Sequence, residues 1–217
     1  MIEAVFFDLD GTLFDRDATV AGILAWQART FSRAIASERA DEFIRRVTAL
    51  DEHGHGDKRE VYIQIATEFG FDAAMVEQLV ASFWAEYPHH CHLEAGIAAA
   101  LDSLRQRGKR LGIITNGSAA IQDAAIDALG VRDVMDVILI SETEGLRKPH
   151  PEIFHRAAER VGIPPDRCCF VGDHPTIDIA GAAAAGLQVF WKRTSYWTPS
   201  APVPTINAIP ELPVLIA

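Results

Sequence analysis

No stretch of about 18 consecutive apolar residues occurs in the chain, so a membrane-spanning helix is not expected. No basic segment precedes the first apolar run either, and no secretory leader is expected; a cytoplasmic setting follows as the expectation. Cysteine is scarce. Cys91, Cys168 and Cys169 cannot build a disulfide framework, and the adjacent pair would point to opposite faces of a strand, so all three are expected as thiols. Positive charge is in deficit, with 20 Lys and Arg against 30 Asp and Glu and a formal charge of −10. Without a basic cluster, this argues against a nucleic-acid partner. Repeats and low-complexity tracts are absent, and 49% hydrophobic residues over 217 positions suffice for one ordinary core with a modest second unit.

What is present is organised around residues 4–12, AVFFDLDGT. The run Ala4, Val5, Phe6, Phe7 has the pattern of a strand buried on both faces of a parallel sheet. It ends in two acids, Asp8 and Asp10, with a turn signal at Asp10-Gly11. Asp8 is therefore expected at the carboxyl end of a strand, where open α/β sheets place ligand chemistry. Taken alone, the same residues also describe a strand end capped by solvated acids.

Between residues 15 and 92 only helical patterns occur. Val20, Ile23, Leu24, Phe31 and Ile35 predict one helix; Phe43, Ile44, Val47 and Leu50 a second; Val61, Ile65 and Phe69 a third, ending before Gly70. Met75 to Tyr87 predict a fourth, stopped by Pro88. From Ala95 the texture becomes alternating. Helices are expected over 95–107, 118–129, 151–161 and 176–185, and strands over 110–115, 136–140, 168–171 and 187–191, with a last short strand or turn at 205–209. This predicts an α/β fold, a doubly wound parallel-sheet (Rossmann-like) core of residues 1–14 and 93–217, with an α-helical domain inserted at 15–92.

At the strand ends lie Asp8 and Asp10, then Thr115, Asn116 and Gly117, then Lys148, then Asp173 with Asp178 five residues on. Parallel strands share one carboxyl edge, so these groups should converge. Converging acids require compensation, which a divalent cation with oxygen ligands supplies, Mg2+ in particular. Lys148 can neutralise both a carboxylate and a phosphate. Thr115 and the backbone amides around Asn116 and Gly117 can hold phosphate oxygens at a helix start. The set suits phosphoryl transfer through an aspartyl-phosphate, with Asp10 as the acid that protonates the leaving oxygen and then accepts a proton from water.

Four segments in order, DLDGT at 8–12, ITNG at 114–117, RKPHPEIF at 147–154 and VGDHPTID at 171–178, resemble the motifs of the haloacid dehalogenase superfamily, in its subgroup with a helical cap after the first strand. The resemblance covers nearly the whole chain. It implies Asp8 as nucleophile, Asp10 as acid/base, and Thr115 and Lys148 as phosphate ligands, with Mg2+ held by Asp8, the backbone carbonyl of Asp10 and Asp173. Asp178 would be a supporting acid, acting through water or by orienting Lys148. Dehalogenating members lack the acid two residues after the nucleophile, so Asp10 favours a phosphatase of small phosphorylated metabolites. A phosphomutase, a dehalogenase and a non-catalytic member stand as alternatives, and a monomer or homodimer is expected. His174 and Pro175, where relatives often carry Ser, do not identify a substrate.

Other features have plainer readings. His89 to His92 (HHCH) are too close together to wrap one tetrahedral zinc and are read as the return linker to the core. His53 and His55 flank Gly54 in an exposed turn or a loop over the substrate, Arg16, Arg45 and Arg46 lie on solvated helix faces or meet an anionic substrate, and Trp26 and Trp84 are core. Trp191, Tyr196 and Trp197 pack against the sheet edge or support self-association.

Overall fold

In the computed structural model, which describes residues 1–54 and 56–216, the opening run forms strand β1 (Ala4–Phe7), fully buried along its length. Four helices follow: α1 (Arg16–Thr30), α2 (Ala40–Asp51), α3 (Lys58–Phe69) and α4 (Ala73–His90). The chain then alternates through α5 (Ile97–Gln106), β2 (Arg110–Thr115), α6 (Ala119–Leu129), β3 (Val137–Ile140) and the single-turn α7 (Ser141–Glu144). It continues with α8 (Pro151–Val161), β4 (Cys168–Gly172), α9 (Gly181–Ala184), β5 (Gln188–Lys192), β6 (Thr205–Ile206) and α10 (Leu212–Leu215). The chain divides into two compact units, Met1–Asp15 with Leu93–Ala217, and Arg16–His92.

The first unit is built on a six-stranded parallel sheet in the order β3-β2-β1-β4-β5-β6. Phe7 pairs with Ile113 on one side and Val171 on the other. The chain winds outward from β1 to β3 and starts again at β4, so the reversal lies between β1 and β4, the position where such sheets open a crevice. Apolar residues at every position of β1 and β4 follow from this, since both faces are covered. One part of the core gathers Phe6, Ile114, Leu139, Phe154 and Phe170, with Phe154 and Phe170 edge to face at 5.1 Å. Helix boundaries follow local chemistry: Ser118 caps α6 at the Ile121 amide, Pro151 opens α8, and Gly130 and Gly162 close α6 and α8.

The second unit packs α1 to α4 around Phe43, Val47, Tyr62, Leu79 and Phe83. Polar groups inside it are paired. Tyr62 Oη donates to Gln27 Oε1 at 2.6 Å, and Gln27 Nε2 donates to the Leu79 carbonyl at 2.8 Å and Ser82 Oγ at 2.9 Å. Asp51 receives Arg16 Nη1 at 2.6 Å and Lys58 Nζ.

Three expectations are corrected. Helix α1 ends at Thr30, and the chain turns through Phe31 to Ile35 instead of extending the helix; Ile35 is nevertheless fully buried, which is why the apolar spacing ran on. Pro88 lies inside α4, in its last turn, where the missing N–H removes a single helical bond, so His89 and His90 belong to the helix and not to a linker. The helix expected over 176–185 winds as a π-helix through Pro175–Ala180 before α9, with the Ile179 amide reaching back to the His174 carbonyl at 3.2 Å. That wider winding accompanies the inward turn of Asp178, 1% exposed.

Among the other tempting residues, His53 Nδ1 lies 3.2 Å from the Asp17 carboxylate, and both Glu52 and His53 adopt left-handed backbone angles. His55 lies outside the described residues. Arg46 Nε donates to Glu68 at 2.8 Å on the surface. Among the described residues no helix is long and apolar enough to cross a membrane.

Candidate active site

The carboxyl edge of the sheet in the first unit gathers the polar strand ends. Asp8 continues the β1 ladder, its amide donating to the Val171 carbonyl at 2.8 Å, which sets its side chain beside the end of β4. Lys148, 2% exposed, reaches the same place from the loop before α8. Its Nζ donates to Asp8 Oδ1 at 2.6 Å and to Asp178 Oδ1 at 2.7 Å. The second oxygen of Asp178 accepts the His174 amide at 3.0 Å, which ties the π-wound segment to the site. Asp173 completes the group: oxygens of Asp8, Asp173 and Asp178 all lie within 4.8 Å of one another. Gly11, at φ +78°, lets the DGT turn pass close by; a Cβ there would fall 2.7 Å from Asp173 Oδ2.

The electrostatics follow from three buried acids sharing one lysine. Burial, then the neighbouring charge of Asp178, raises the Asp8 carboxyl well above the usual carboxylate range, with Lys148 acting in the opposite direction. The same two causes push Asp173 up to about 7. Burial works against the Lys148 ammonium, but Asp178 and Asp8 outweigh it and hold the lysine charged. Three carboxylates against one ammonium leave a formal excess of about two negative charges in a water-poor site. An oxygen-only donor set with that excess fits a hard divalent cation, and Asp8, Asp173 and Asp178 are the residues placed to hold or support it.

Thr115, 1% exposed, ends β2 next to the cluster of α6 contacts. Asn116, expected beside a phosphate, has both ends of its side-chain amide engaged by the Lys148 main chain: Nδ2 donates to the Lys148 carbonyl and Oδ1 accepts the Lys148 amide, each at 2.9 Å. Two other amides at the start of α6 are also taken. Gly117 N donates to Ser141 Oγ at 3.0 Å and Ala119 N to Glu142 Oε2 at 2.7 Å, because α7 follows β3 directly beside this helix end. The Gly117 and Ala119 amides are thus engaged by the protein itself.

Gln122 and Lys192 at this edge escaped the sequence reading, and Trp191, expected at the sheet edge, has a role there that was not foreseen. Gln122 Nε2 donates to Asp10 Oδ2 at 2.8 Å, Thr115 Oγ1 at 2.7 Å and the Asn116 carbonyl at 3.1 Å. Trp191 Nε1 donates to the Asp173 carbonyl at 2.6 Å, and Lys192 Nζ to the Gly11 carbonyl at 3.1 Å, so the end of β5 braces both acid-bearing turns. A signal for Gln122 existed: it falls on the buried stripe of α6 with Ala125, Ile126 and Leu129. Trp197, in the tail, packs against His174 with ring centroids 4.6 Å apart and the rings tilted by 43°. Among the described residues, the acids above form the one group of three or more such side chains able to hold a metal, and His89 to His92 are not in it.

Comparison with known proteins agrees with this architecture. A family model described as haloacid dehalogenase-like hydrolase matches residues 2–186. Glyceraldehyde 3-phosphate phosphatase of Methanothermobacter thermautotrophicus is 29% identical over 203 residues, covering 87% of this chain and 84% of that protein. N-acylneuraminate-9-phosphatase of Rattus norvegicus is 29% identical over 233 residues, covering 99% and 94%. Among solved structures, the HAD-hydrolase YfnB of Bacillus subtilis, determined bound to magnesium, superposes with a TM-score of 0.80 at 24% identity, covering 99% of this chain and 98% of that one. With its parallel sheet, its acid-lysine cluster and a family match over most of its length, the chain belongs to the haloacid dehalogenase-like hydrolases.

Proposed function

We propose that the protein is a Mg2+-dependent phosphatase that hydrolyses phosphate monoesters of small metabolites through an aspartyl-phosphate on Asp8. The observation that carries this reading is the Lys148 ammonium held between Asp8 and Asp178, with Asp173 completing an acid group that calls for a cation. The named relatives, both phosphatases, support the same reaction class. Mg2+ bound at Asp8, Asp173 and the Asp10 carbonyl would supply charge neutralisation for the phosphoryl group.

The chain's own residues then have distinct roles. In the first step a bond forms between an Asp8 carboxylate oxygen and phosphorus, the ester P–O bond breaks, and Asp10 gives its proton to the departing alkoxide. In the second, water attacks phosphorus, its proton passes to Asp10, and the Asp8–phosphorus bond breaks. Lys148 and Thr115 offset or bind the phosphoryl oxygens, Asp178 orients Lys148, and Asn116 fixes the Lys148 main chain beside the phosphate site. Residues 15–92 act as a helical cap that sets substrate choice, and the enzyme works in the cytoplasm as a monomer or homodimer.

Phosphate release from a panel of nucleotides, sugar phosphates and phosphorylated acids, with EDTA and with added Mg2+, tests the reading. Release that EDTA abolishes and Mg2+ restores is expected. Isomerisation of sugar phosphates without release would indicate a phosphomutase, and halide release from haloacids a dehalogenase; either would overturn it.

A further inference from the structure

Gln122 sits at the start of α6 with 4% of its surface exposed, and its amide touches three residues of the proposed machinery, Asp10, Thr115 and Asn116. The Asp10 carboxylate and the Asn116 carbonyl can only accept hydrogen bonds, so the end of Gln122 that faces them is the NH2 group. Burying a long polar side chain is unfavourable unless its hydrogen bonds are made, and here two N–H protons serve three acceptors. Gly117 keeps the path open. A Cβ at that position would lie 2.9 Å from Gln122 Cγ and 3.0 Å from Nε2, so any larger residue would push the amide off Asp10.

We infer that Gln122 is a positioning residue of the hydrolysis, acting through Asp10 and Thr115; the inference rests on the phosphatase reading above. By donating to Oδ2, Gln122 restrains rotation of the Asp10 carboxyl and so fixes the direction in which it faces the leaving group. By donating to Thr115 Oγ1, it makes that oxygen an acceptor and directs the hydroxyl's own proton outward, the orientation a phosphoryl oxygen requires. One side chain thus aligns the proton donor of the leaving group with a hydrogen-bond donor to the phosphate.

The test compares Gln122→Leu, Asp10→Asn and the double variant, with Mg2+, on an alkyl phosphate and on p-nitrophenyl phosphate, whose leaving group needs little protonation. For Gln122→Leu the expected loss in kcat is about 10- to 100-fold on the alkyl ester, as for a misplaced catalytic group, and several-fold smaller on the nitrophenyl ester. Inhibition by inorganic phosphate should weaken through Thr115, and the Gln122 change should add little to the difference between the two esters once Asp10 is replaced. Equal losses on the two esters in Gln122→Leu, beside a leaving-group-dependent loss in Asp10→Asn, would overturn the inference and leave the phosphatase reading intact. Equal losses in Asp10→Asn itself would overturn the acid/base assignment and the inference with it. Thermal unfolding is recorded for each variant, and Gln122→Met replaces the leucine variant if that one fails to fold.

Discussion

Lys148 and Asp8, 140 residues apart in the chain, meet at 2.6 Å through a buried ammonium and carboxylate. The lysine arrives from the loop before α8 and the acid from the end of β1, and neither could remain charged there alone. Asp178, at 2.7 Å on the other side of the same nitrogen, makes this a shared cation and not a simple pair.

Replacing Asp8 with Asn keeps the shape and an acceptor for Lys148 but removes the proposed nucleophile. Turnover should fall by at least about a thousandfold, as expected when a covalent nucleophile is lost, with the fold unchanged by circular dichroism. Metal-dependent activity above a few per cent of wild type would argue against Asp8 as nucleophile.

Lys148→Met leaves Asp8 and Asp178 buried without their cation. A destabilisation of roughly 3–5 kcal/mol is expected from breaking a buried ion pair on one side, along with loss of turnover. Denaturant unfolding in EDTA measures it; Mg2+ should recover part of the stability, because the ion takes up the same carboxylates.

Asn116→Ala removes both hydrogen bonds to the Lys148 main chain while leaving the lysine in place. A loss of about 1–3 kcal/mol is expected from the unsatisfied peptide groups. Turnover should drop about tenfold or more, because Lys148 loses its positioning. Full activity with normal stability would mean that the clamp is redundant.

Adding Mg2+ to metal-free protein should raise Tm, by an amount equivalent to about 2.7 kcal/mol at a hundredfold excess over Kd. Asp173→Asn should lose most of that gain. An unchanged shift in this variant would place the ion elsewhere.

In the helical unit, burial pushes the Asp51 carboxyl up, but hydrogen bonding and charge from Arg16, with the charge of Lys58, outweigh it and hold it below the usual range. A depressed folded value means stability that is present above the unfolded carboxylate value, about 3.9, and is lost as pH falls through the folded value. Thermal unfolding of wild type and Asp51→Asn should therefore differ by a constant amount above about pH 5 and converge in strong acid. A difference that grew on acidification would contradict the ion-pair account.

Much of this protein is legible locally. The apolar run Ala4 to Phe7, the glycines that stop α3, α6 and α8, and the acids at the ends of β1 and β4 each depend on near neighbours: periodicity for burial, caps for helix ends, turn chemistry for the exits. Once the strands are known to be parallel, the convergence of Asp8, Thr115, Lys148 and Asp173 follows, because all carboxyl ends share one edge. The partners along that edge do not follow. That Gln122 meets Asp10 across 112 residues, that the Asn116 side chain clamps the Lys148 main chain, and that a π-wound turn delivers Asp178 to the lysine depend on strand order and helix docking. These contacts join segments with no common periodicity, so they exist only once the sheet has set the distances, and they turn a row of polar strand ends into one connected, largely buried hydrogen-bond network.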